Sequence, residues 1–189
     1  MRLGLFGGTF DPPHIGHLLA ASDAYEALGL DRLIWIPTGT QPFKSDDVHA
    51  TPVQRAEMLE AMVAGDARFM VDRLEIERGG LSYTVETLDE YARRYPDARR
   101  FLLIGADLLS QIPQWRDAGR LATLAEIVVL ERDAGDEPAP RALASSRLRT
   151  RRVDVSSTEV RTRSRQGLPV HGFVTDAVSR YIAAAGLYR

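Results

Sequence analysis

The chain contains no cysteine among its 189 residues. This absence excludes disulfide bonds and every metal site that relies on thiolate ligands. There is no HExxH motif either, and beyond His14 and His17 the imidazoles are those of His49 and His171. We therefore expect no metal site built from protein side chains. A chain without cysteine is compatible with the reducing cytoplasm, where we expect this protein to act.

An excess of charge and long apolar runs are also missing. Lys and Arg total 24 and Asp and Glu total 26, so the net charge of −2 gives no electrostatic case for nucleic acid or an anionic membrane. No apolar run approaches the roughly 18 residues of a membrane-spanning helix. The opening MRLGLFGG is too short and glycine-rich for a signal peptide. We expect no nucleic acid and no membrane among the partners, and a homo-oligomer remains open.

The sequence does have alternating strand-like and helix-like segments, in a length that suits one domain of residues 1–189. Strands are predicted at 2–6, 31–37, 69–78, 101–105, 126–131 and 151–155. Helices are predicted at 15–28, 51–64, 83–95, 156–167 and 175–186. The segment 132–150 is predicted to be a surface loop. In the first helix, Ile15, Leu18, Leu19 and Ser22 are predicted to fall on one face.

This alternation predicts an α/β fold, a Rossmann-like doubly wound parallel sheet flanked by helices. In such sheets ligands bind beyond the C-terminal strand ends, where the strand order changes direction. The N-terminal turn and the segment GAD at 105–107 each follow a strand. If those two strands are neighbours, both segments open into one crevice.

The N-terminal turn GGTFDPPHIGH is predicted to hold a polyphosphate. It has neither a GxGxxG fingerprint nor a P-loop GK[ST], so the prediction depends on its own residues. Gly7 and Gly8 allow backbone N–H groups to approach a ligand closely, and Thr9 adds a hydroxyl. His14 and His17 lie on one side of the first turn of a helix, whose N-terminus is partially positive. The alternative is a tight strand-to-helix turn with two surface histidines.

A second anion-binding end is predicted in the segment SSTEVR. The hydroxyl and N–H groups of Ser156, Ser157 and Thr158 would stand at the start of a helix, with Arg161 one turn further on. The alternative is a capping box between Ser156 and Glu159 that only begins the helix.

Six segments together resemble one enzyme family. They are GLFGGTFDPPHIGH, QPFK at 41–44, SYT at 82–84, GADLLSQIPQW at 105–115, VSSTEVR at 155–161 and the final YIAAAGLYR. The first resembles the T/HxGH signature of the nucleotidyltransferase superfamily, and the whole set is similar to the nicotinate-nucleotide adenylyltransferases. The resemblance implies the nucleotidyltransferase fold and an enzyme of NAD biosynthesis. Such an enzyme transfers AMP from ATP to nicotinate mononucleotide, forming deamido-NAD and pyrophosphate.

The resemblance also implies a mechanism, in which the mononucleotide phosphate attacks the α-phosphorus of ATP in line and without a covalent intermediate. Catalysis then depends on positioning two anions and neutralising the leaving pyrophosphate. His14, His17 and Lys44 are the implied catalytic residues, and Mg²⁺ is expected as the counterion of ATP. The role of Asp107 toward ribose, adenine or metal stays open. The implied ATP-binding residues are Gly7, Gly8, Thr9, Phe10, His17, Gly105, Asp107, Ser156, Ser157, Thr158 and Arg161.

The implied site for nicotinate mononucleotide consists of Lys44, Tyr83, Thr84 and Trp115. Trp115 can stack on the cationic pyridine ring, an interaction worth roughly 1–2 kcal/mol, although core packing is its alternative role. The N–H groups of Tyr83 and Thr84 could receive the carboxylate, whereas a carboxamide would present its own donor to them. The family usually has Pro-His-Lys where this chain has Pro-Phe-Lys, and Phe43 cannot donate a hydrogen bond to phosphate.

Other functions remain as alternatives. Sister adenylyltransferases act on nicotinamide mononucleotide or phosphopantetheine, and a cytidylyltransferase would share the same fold. A non-catalytic nucleotide sensor would be expected to lack His14, His17 or the segment SSTEVR, and all three are present. A tRNA synthetase fragment would need a KMSKS-type segment and a basic RNA-binding stretch, which the sequence lacks.

Overall fold

The computed structural model describes residues 1–40, 48–131 and 145–189. The strands in this part of the chain are β1 (Arg2–Gly8), β2 (Arg32–Pro37), β3 (Phe69–Val71), β4 (Arg99–Gly105), β5 (Glu126–Glu131) and β6 (Ser145–Arg149). They form one sheet in the order β3-β2-β1-β4-β5-β6, and every neighbouring pair is parallel. The predicted α/β class with a doubly wound parallel sheet is confirmed.

The helices of the described residues are α1 (Ile15–Ala27), α2 (Pro52–Val63), α3 (Leu74–Arg78), α4 (Thr84–Arg94), α5 (Ala118–Leu124), α6 (Ser157–Arg165) and α7 (Asp176–Ala185). A 3-10 helix, Ala106–Gln114, directly follows β4. Side-chain caps begin several helices; Thr51 and Gln54, for example, form a reciprocal capping box at α2. Among the described residues, no helix has the length and apolarity that crossing a bilayer requires.

Two hydrophobic clusters lie on opposite faces of the sheet, because neighbouring strand residues point to opposite sides. In β2, Leu33 and Trp35 pack into one cluster and Ile34 and Ile36 into the other. The first cluster includes residues of α1, α2, α6 and α7, and the second includes residues of α4, α5 and the 3-10 helix. Strands that are apolar on both faces are therefore explained by helices on both sides.

One predicted strand is wrong in part and another is wrong throughout. Residues 69–78 form a strand only at Phe69–Val71, because the carboxylate of Asp72 then accepts the N–H of Leu74 at 2.9 Å and starts α3. Residues 151–155 form no strand, since the N–H of Arg151 binds the Asp23 carboxylate at 2.8 Å instead of a neighbouring strand.

The sixth strand lies inside the segment that was predicted to be a loop. Ser145–Arg149 pairs with β5, and the N–H of Thr150 continues this pairing to the carbonyl of Glu131 at 2.9 Å. The loop prediction is therefore wrong for these residues, and residues 132–144 lie outside the described part of the chain.

The helix α1 packs on the sheet through small residues. Its buried residues are Gly16, Ala21 and Ala24, whereas the four residues of the predicted shared face are only partly buried. The small side chains allow α1 to pack closely on the sheet. A pattern of large apolar residues does not detect such a face.

Candidate active site

The candidate site lies where the strand order changes direction, between β1 and β4. These strands are parallel neighbours that pair Phe6 with Leu103, so both chain segments leave the sheet at the same edge. A cavity of about 690 Å³ opens there. It is lined by all the residues predicted to bind ATP: Gly7, Gly8, Thr9, Phe10, His17, Gly105, Asp107, Ser156, Ser157, Thr158 and Arg161, together with His14.

His14 and His17 form a stacked pair at the start of α1. Their ring centroids are 3.6 Å apart and the ring planes differ by 24°. Each Nδ1 accepts a backbone N–H from the other residue, at 3.4 Å for His14 and 3.2 Å for His17. An Nδ1 atom that accepts a hydrogen bond is not available as a donor, so Nε2 is the ring atom through which each histidine can donate to an anion.

The turn that carries the histidines is fixed by bonds from distant parts of the chain. The Arg55 guanidinium, 1% exposed, donates to the carbonyl of Thr9 at 2.6 Å and also to that of Thr38 at 2.6 Å. Burial lowers the pKa of Arg55 and the nearby Asp11 carboxylate raises it, with burial the larger influence. Arg161 Nη1 donates to the carbonyl of Asp11 at 2.9 Å. A turn without regular secondary structure is therefore held in one conformation.

Phe10 occupies a left-handed backbone conformation within the same turn. Its φ is +53°, which is costly for an aromatic residue. The ring is buried and makes edge contacts with Phe6 at 5.6 Å, with His17 at 5.1 Å and with Trp35 at 5.4 Å. Phe10 therefore supports the His17 ring from behind while it lines the cavity.

The start of α6 faces this turn across the cavity. Ser156 is the N-cap and accepts the Glu159 N–H at 3.1 Å, so the predicted cap is present in that direction. Ser157 donates its hydroxyl to the Pro12 carbonyl at 2.9 Å, which joins the helix start to the histidine turn. Because the hydroxyl of Ser157 makes this contact, the start of α6 offers an anion mainly its backbone N–H groups.

On the β4 side, the carboxylate of Asp107 folds back over the backbone. A Cβ placed on Gly105 would lie 2.4 Å from Asp107 Oδ1, so a glycine is what permits this approach. Asp107 and Glu131 both line the cavity, and Glu131 is paired with Arg147. Among the residues that the structure describes, no three or more His, Asp or Glu side chains are grouped as a metal site would require.

A second, smaller cavity of about 130 Å³ adjoins the first. Tyr83, Thr84 and Trp115 all line it, as predicted for a mononucleotide site. Both cavities share Gly7 and Gly8 of β1. A ligand in one cavity therefore lies directly beside a ligand in the other.

The smaller cavity combines an aromatic wall with a guanidinium group. Trp115 is half-buried and packs partly against the second hydrophobic cluster, so core packing is part of its role, and stacking on a pyridine ring stays a prediction. Arg116 lines the same cavity, with its guanidinium 4.7 Å from the centre of the Tyr83 ring and paired with the Glu86 carboxylate at 2.9 Å. α4 begins at Thr84, with Tyr83 as its N-cap; the Glu86 N–H donates to the Tyr83 carbonyl at 3.1 Å, so the first two N–H groups of the helix are the ones without a partner within it.

Glu75 brings a buried carboxyl group to the wall of this smaller cavity. It is 7% exposed, and Thr87 donates its hydroxyl to Oε1 at 2.6 Å. Burial raises the pKa of Glu75, opposed by hydrogen bonds from Thr87 and Ser82. The neutral carboxylic acid is thus favoured over the anion, relative to an exposed glutamate.

Two predicted positions lie outside the described residues. Lys44, expected at both the catalytic and the mononucleotide site, and Phe43 fall within residues 41–47. Sequence reasoning missed Asp11, Arg55 and Glu75. The available signal for Arg55 was a charged residue on an otherwise apolar face of its helix. The roles of Asp11 and Glu75 depend on contacts that only the tertiary structure creates.

Known proteins of one enzyme family are similar to this chain. A family model described as Cytidylyltransferase-like matches residues 5–163. A protein of Gemmatimonas aurantiaca is 48% identical, over 100% of this chain and 93% of its own length. A protein of Thermus thermophilus is 44% identical over 100% of both chains. Both carry the name "Probable nicotinate-nucleotide adenylyltransferase".

The fold is also found in solved structures. The nicotinic acid mononucleotide adenylyltransferase of Plasmodium falciparum, complexed with NaAD, superposes with a TM-score of 0.81 at 15% identity, covering 99% of this chain and 97% of that one. At that identity the likeness concerns the fold alone. The family model and the full-length relatives, taken with the two adjoining cavities, show that this chain belongs to the nicotinate-nucleotide adenylyltransferase family of nucleotidyltransferases.

Proposed function

We propose that this chain transfers AMP from ATP to nicotinate mononucleotide, forming deamido-NAD and pyrophosphate. The observation that carries the proposal is the junction of the two cavities at Gly7 and Gly8. The larger cavity has donors for a triphosphate, and the smaller one has an aromatic wall and a helix start for a pyridine carboxylate. We also propose that residues 1–189 act as one nucleotidyltransferase domain, since their described strands share one sheet.

In the proposed reaction, a phosphate oxygen of the mononucleotide attacks the α-phosphorus of ATP. A new P–O bond forms as the bond to the β-phosphate oxygen breaks, and the electron pair leaves with pyrophosphate. No protein nucleophile is required, so the protein contributes orientation and charge stabilisation. The Nε2–H groups of His14 and His17 donate to the triphosphate, and the helix starts at α1 and α6 face the same anion.

Nucleotidyl transfer generally uses a divalent cation, and we propose that Mg²⁺ enters with ATP as part of the substrate. Asp107 and Glu131 line the ATP cavity, as does Asp11, and carboxylate oxygens are ligands that fit a hard cation. Lys44 remains a proposed phosphate contact from the sequence.

The preference for an acid over an amide has a basis in the smaller cavity. The first-turn N–H groups of α4 and the guanidinium of Arg116 favour a carboxylate. Glu75 lines the same cavity, and burial raises its pKa, which lessens its repulsion of an anion relative to an exposed glutamate. A carboxamide would place its NH₂ donor against these donors and leave them unsatisfied.

The stereochemistry at phosphorus tests the in-line mechanism. The enzyme is supplied with one diastereomer of ATPαS and with nicotinate mononucleotide, and the configuration of the phosphorothioate in the product is determined. Direct displacement inverts the configuration. Retention would indicate two displacements through a covalent intermediate and would contradict the proposed mechanism, while an absence of product with ATP and this acceptor would contradict the proposed reaction.

A further inference from the structure

The segment that follows α7 turns the side chain of Tyr188 back into the protein. Gly186, whose φ is +62°, caps the C-terminal end of α7, and the N–H of Leu187 donates to the carbonyl of Ile182 at 3.1 Å. Tyr188 itself has a φ of +61°, a left-handed conformation that is costly for a residue with a large side chain. Its side chain is nevertheless buried. Contacts of the ring and the hydroxyl must therefore offset the backbone cost.

The main polar contact of Tyr188 is with Asp11. The phenol donates to Asp11 Oδ1 at 2.6 Å, within the range of a charge-assisted hydrogen bond. Burial and this hydrogen bond both raise the pKa of Tyr188 above its ordinary value. The hydroxyl therefore holds its proton more firmly than an exposed phenol does, and it is the donor in this contact.

The Asp11 carboxylate also accepts two backbone N–H groups. His49 N–H donates to Oδ2 at 2.7 Å and Ala50 N–H donates to Oδ1 at 3.1 Å. Asp11 is 3% exposed, so these protein donors take the place of water around its charge. One carboxylate thus ties the histidine turn both to the segment before α2 and to the segment after α7.

A short and stiff link connects this carboxylate to the histidines. Asp11 lies three residues before His14, and the two intervening residues are Pro12 and Pro13, whose rings fix their φ angles. A displacement of Asp11 is therefore transmitted to His14 and to the ring of His17 stacked on it.

We propose that Tyr188 is a positioning residue that holds Asp11, and through Asp11 sets the placement of His14 and His17 against the triphosphate. This inference rests on the function proposed above. Tyr188 lines neither of the two cavities, so it acts without touching substrate. The closing motif YIAAAGLYR thereby has a role in the reaction besides its role in packing.

The variant Tyr188→Phe tests the proposal, because it removes the hydroxyl and keeps the buried ring. We expect kcat for pyrophosphate release with ATP and nicotinate mononucleotide to fall about tenfold, with KM for ATP changed less than about twofold. In the ligand-free protein we expect the imidazole NMR signals of His14 and His17 to shift, read with ¹⁵N-labelled histidine.

Tyr181→Phe is the matched control. Tyr181 lies in α7 and donates its hydroxyl to a carboxylate as well, that of Glu57, but lines neither cavity. We expect this variant to leave kcat and the His14 and His17 signals at wild-type values. In an Asp11→Asn background, the Tyr188→Phe change should alter kcat less than twofold further, because the contact through which it acts is already weakened.

A kcat for Tyr188→Phe within twofold of wild type would overturn the proposal, and so would an equal loss of kcat in Tyr181→Phe. If the wild-type protein releases no pyrophosphate from these substrates, the proposed function fails on its own. The histidine signals then decide the positioning role, and unchanged signals in Tyr188→Phe overturn it.

Discussion

At the scale of the residue, the stacked imidazoles of His14 and His17 are the most specific feature of the site. Because each Nδ1 accepts a backbone N–H, Nε2–H is the donor of each ring. In the proposed reaction the pair acts as two N–H donors held in fixed positions. This role can be tested by substitution.

We predict that His17→Ala lowers kcat about 10²–10³-fold, because a donor to the charge that develops in the transition state is lost. His17→Gln should retain more activity, since its amide can place an N–H near the position of Nε2. Steady-state pyrophosphate release measures both variants. His171→Ala is the control, because His171 is exposed and lines neither cavity. Normal turnover in His17→Ala would contradict the assignment.

A second prediction concerns Trp115. Replacement by alanine removes the stacking surface of the smaller cavity, so KM for nicotinate mononucleotide should rise about tenfold while KM for ATP stays within about twofold. Trp115→Phe should behave more like wild type, because an aromatic face remains. An unchanged KM for the mononucleotide in Trp115→Ala would refute the stacking role.

At the scale of the element, the buried guanidinium of one arginine links the segments that follow β1 and β2. Arg55, on α2, donates to the carbonyls of Thr9 and Thr38 just beyond those two strands. We predict that Arg55→Met lowers the free energy of unfolding by about 2–4 kcal/mol, since buried acceptors lose their donor. The Tm should fall by roughly 4–16 °C in calorimetry. Arg93→Met, at an exposed position of α4, should leave Tm nearly unchanged, and a similarly small change in Arg55→Met would contradict the prediction.

Glu75, on α3, is buried, and its burial makes the free energy of unfolding depend on pH. Its folded-state pKa is raised above the ordinary 4.5, so the native state binds more protons than the unfolded state in that range. The free energy of unfolding contributed by Glu75 therefore falls as pH rises above about 4.5.

We predict that Glu75→Gln removes this dependence. Urea unfolding between about pH 4 and pH 8 should show wild type losing stability relative to the variant as pH rises. Glu77→Gln is the control, because Glu77 is exposed on the same helix. Parallel pH profiles for wild type and Glu75→Gln would contradict the raised pKa.

At the scale of the whole molecule, local patterns and long-range contacts differ in how well they could be predicted. Alternating segments and local motifs indicated the doubly wound sheet, and they correctly placed the histidine turn and the α6 start around one cavity. Strand 145–149 was missed because it follows a segment of scattered charges and depends on pairing with β5. The contact between Tyr188 and Asp11 joins residues 177 positions apart, so no local pattern could reveal it.

The most direct test of the central claim compares two acceptors. With ATP and Mg²⁺, kcat/KM for pyrophosphate release is measured with nicotinate mononucleotide and with nicotinamide mononucleotide. The α4 start and Arg116 predict a preference for the acid of at least about 100-fold. Equal values for the two acceptors would contradict a carboxylate site in the smaller cavity, and activity with neither would contradict the proposed reaction itself.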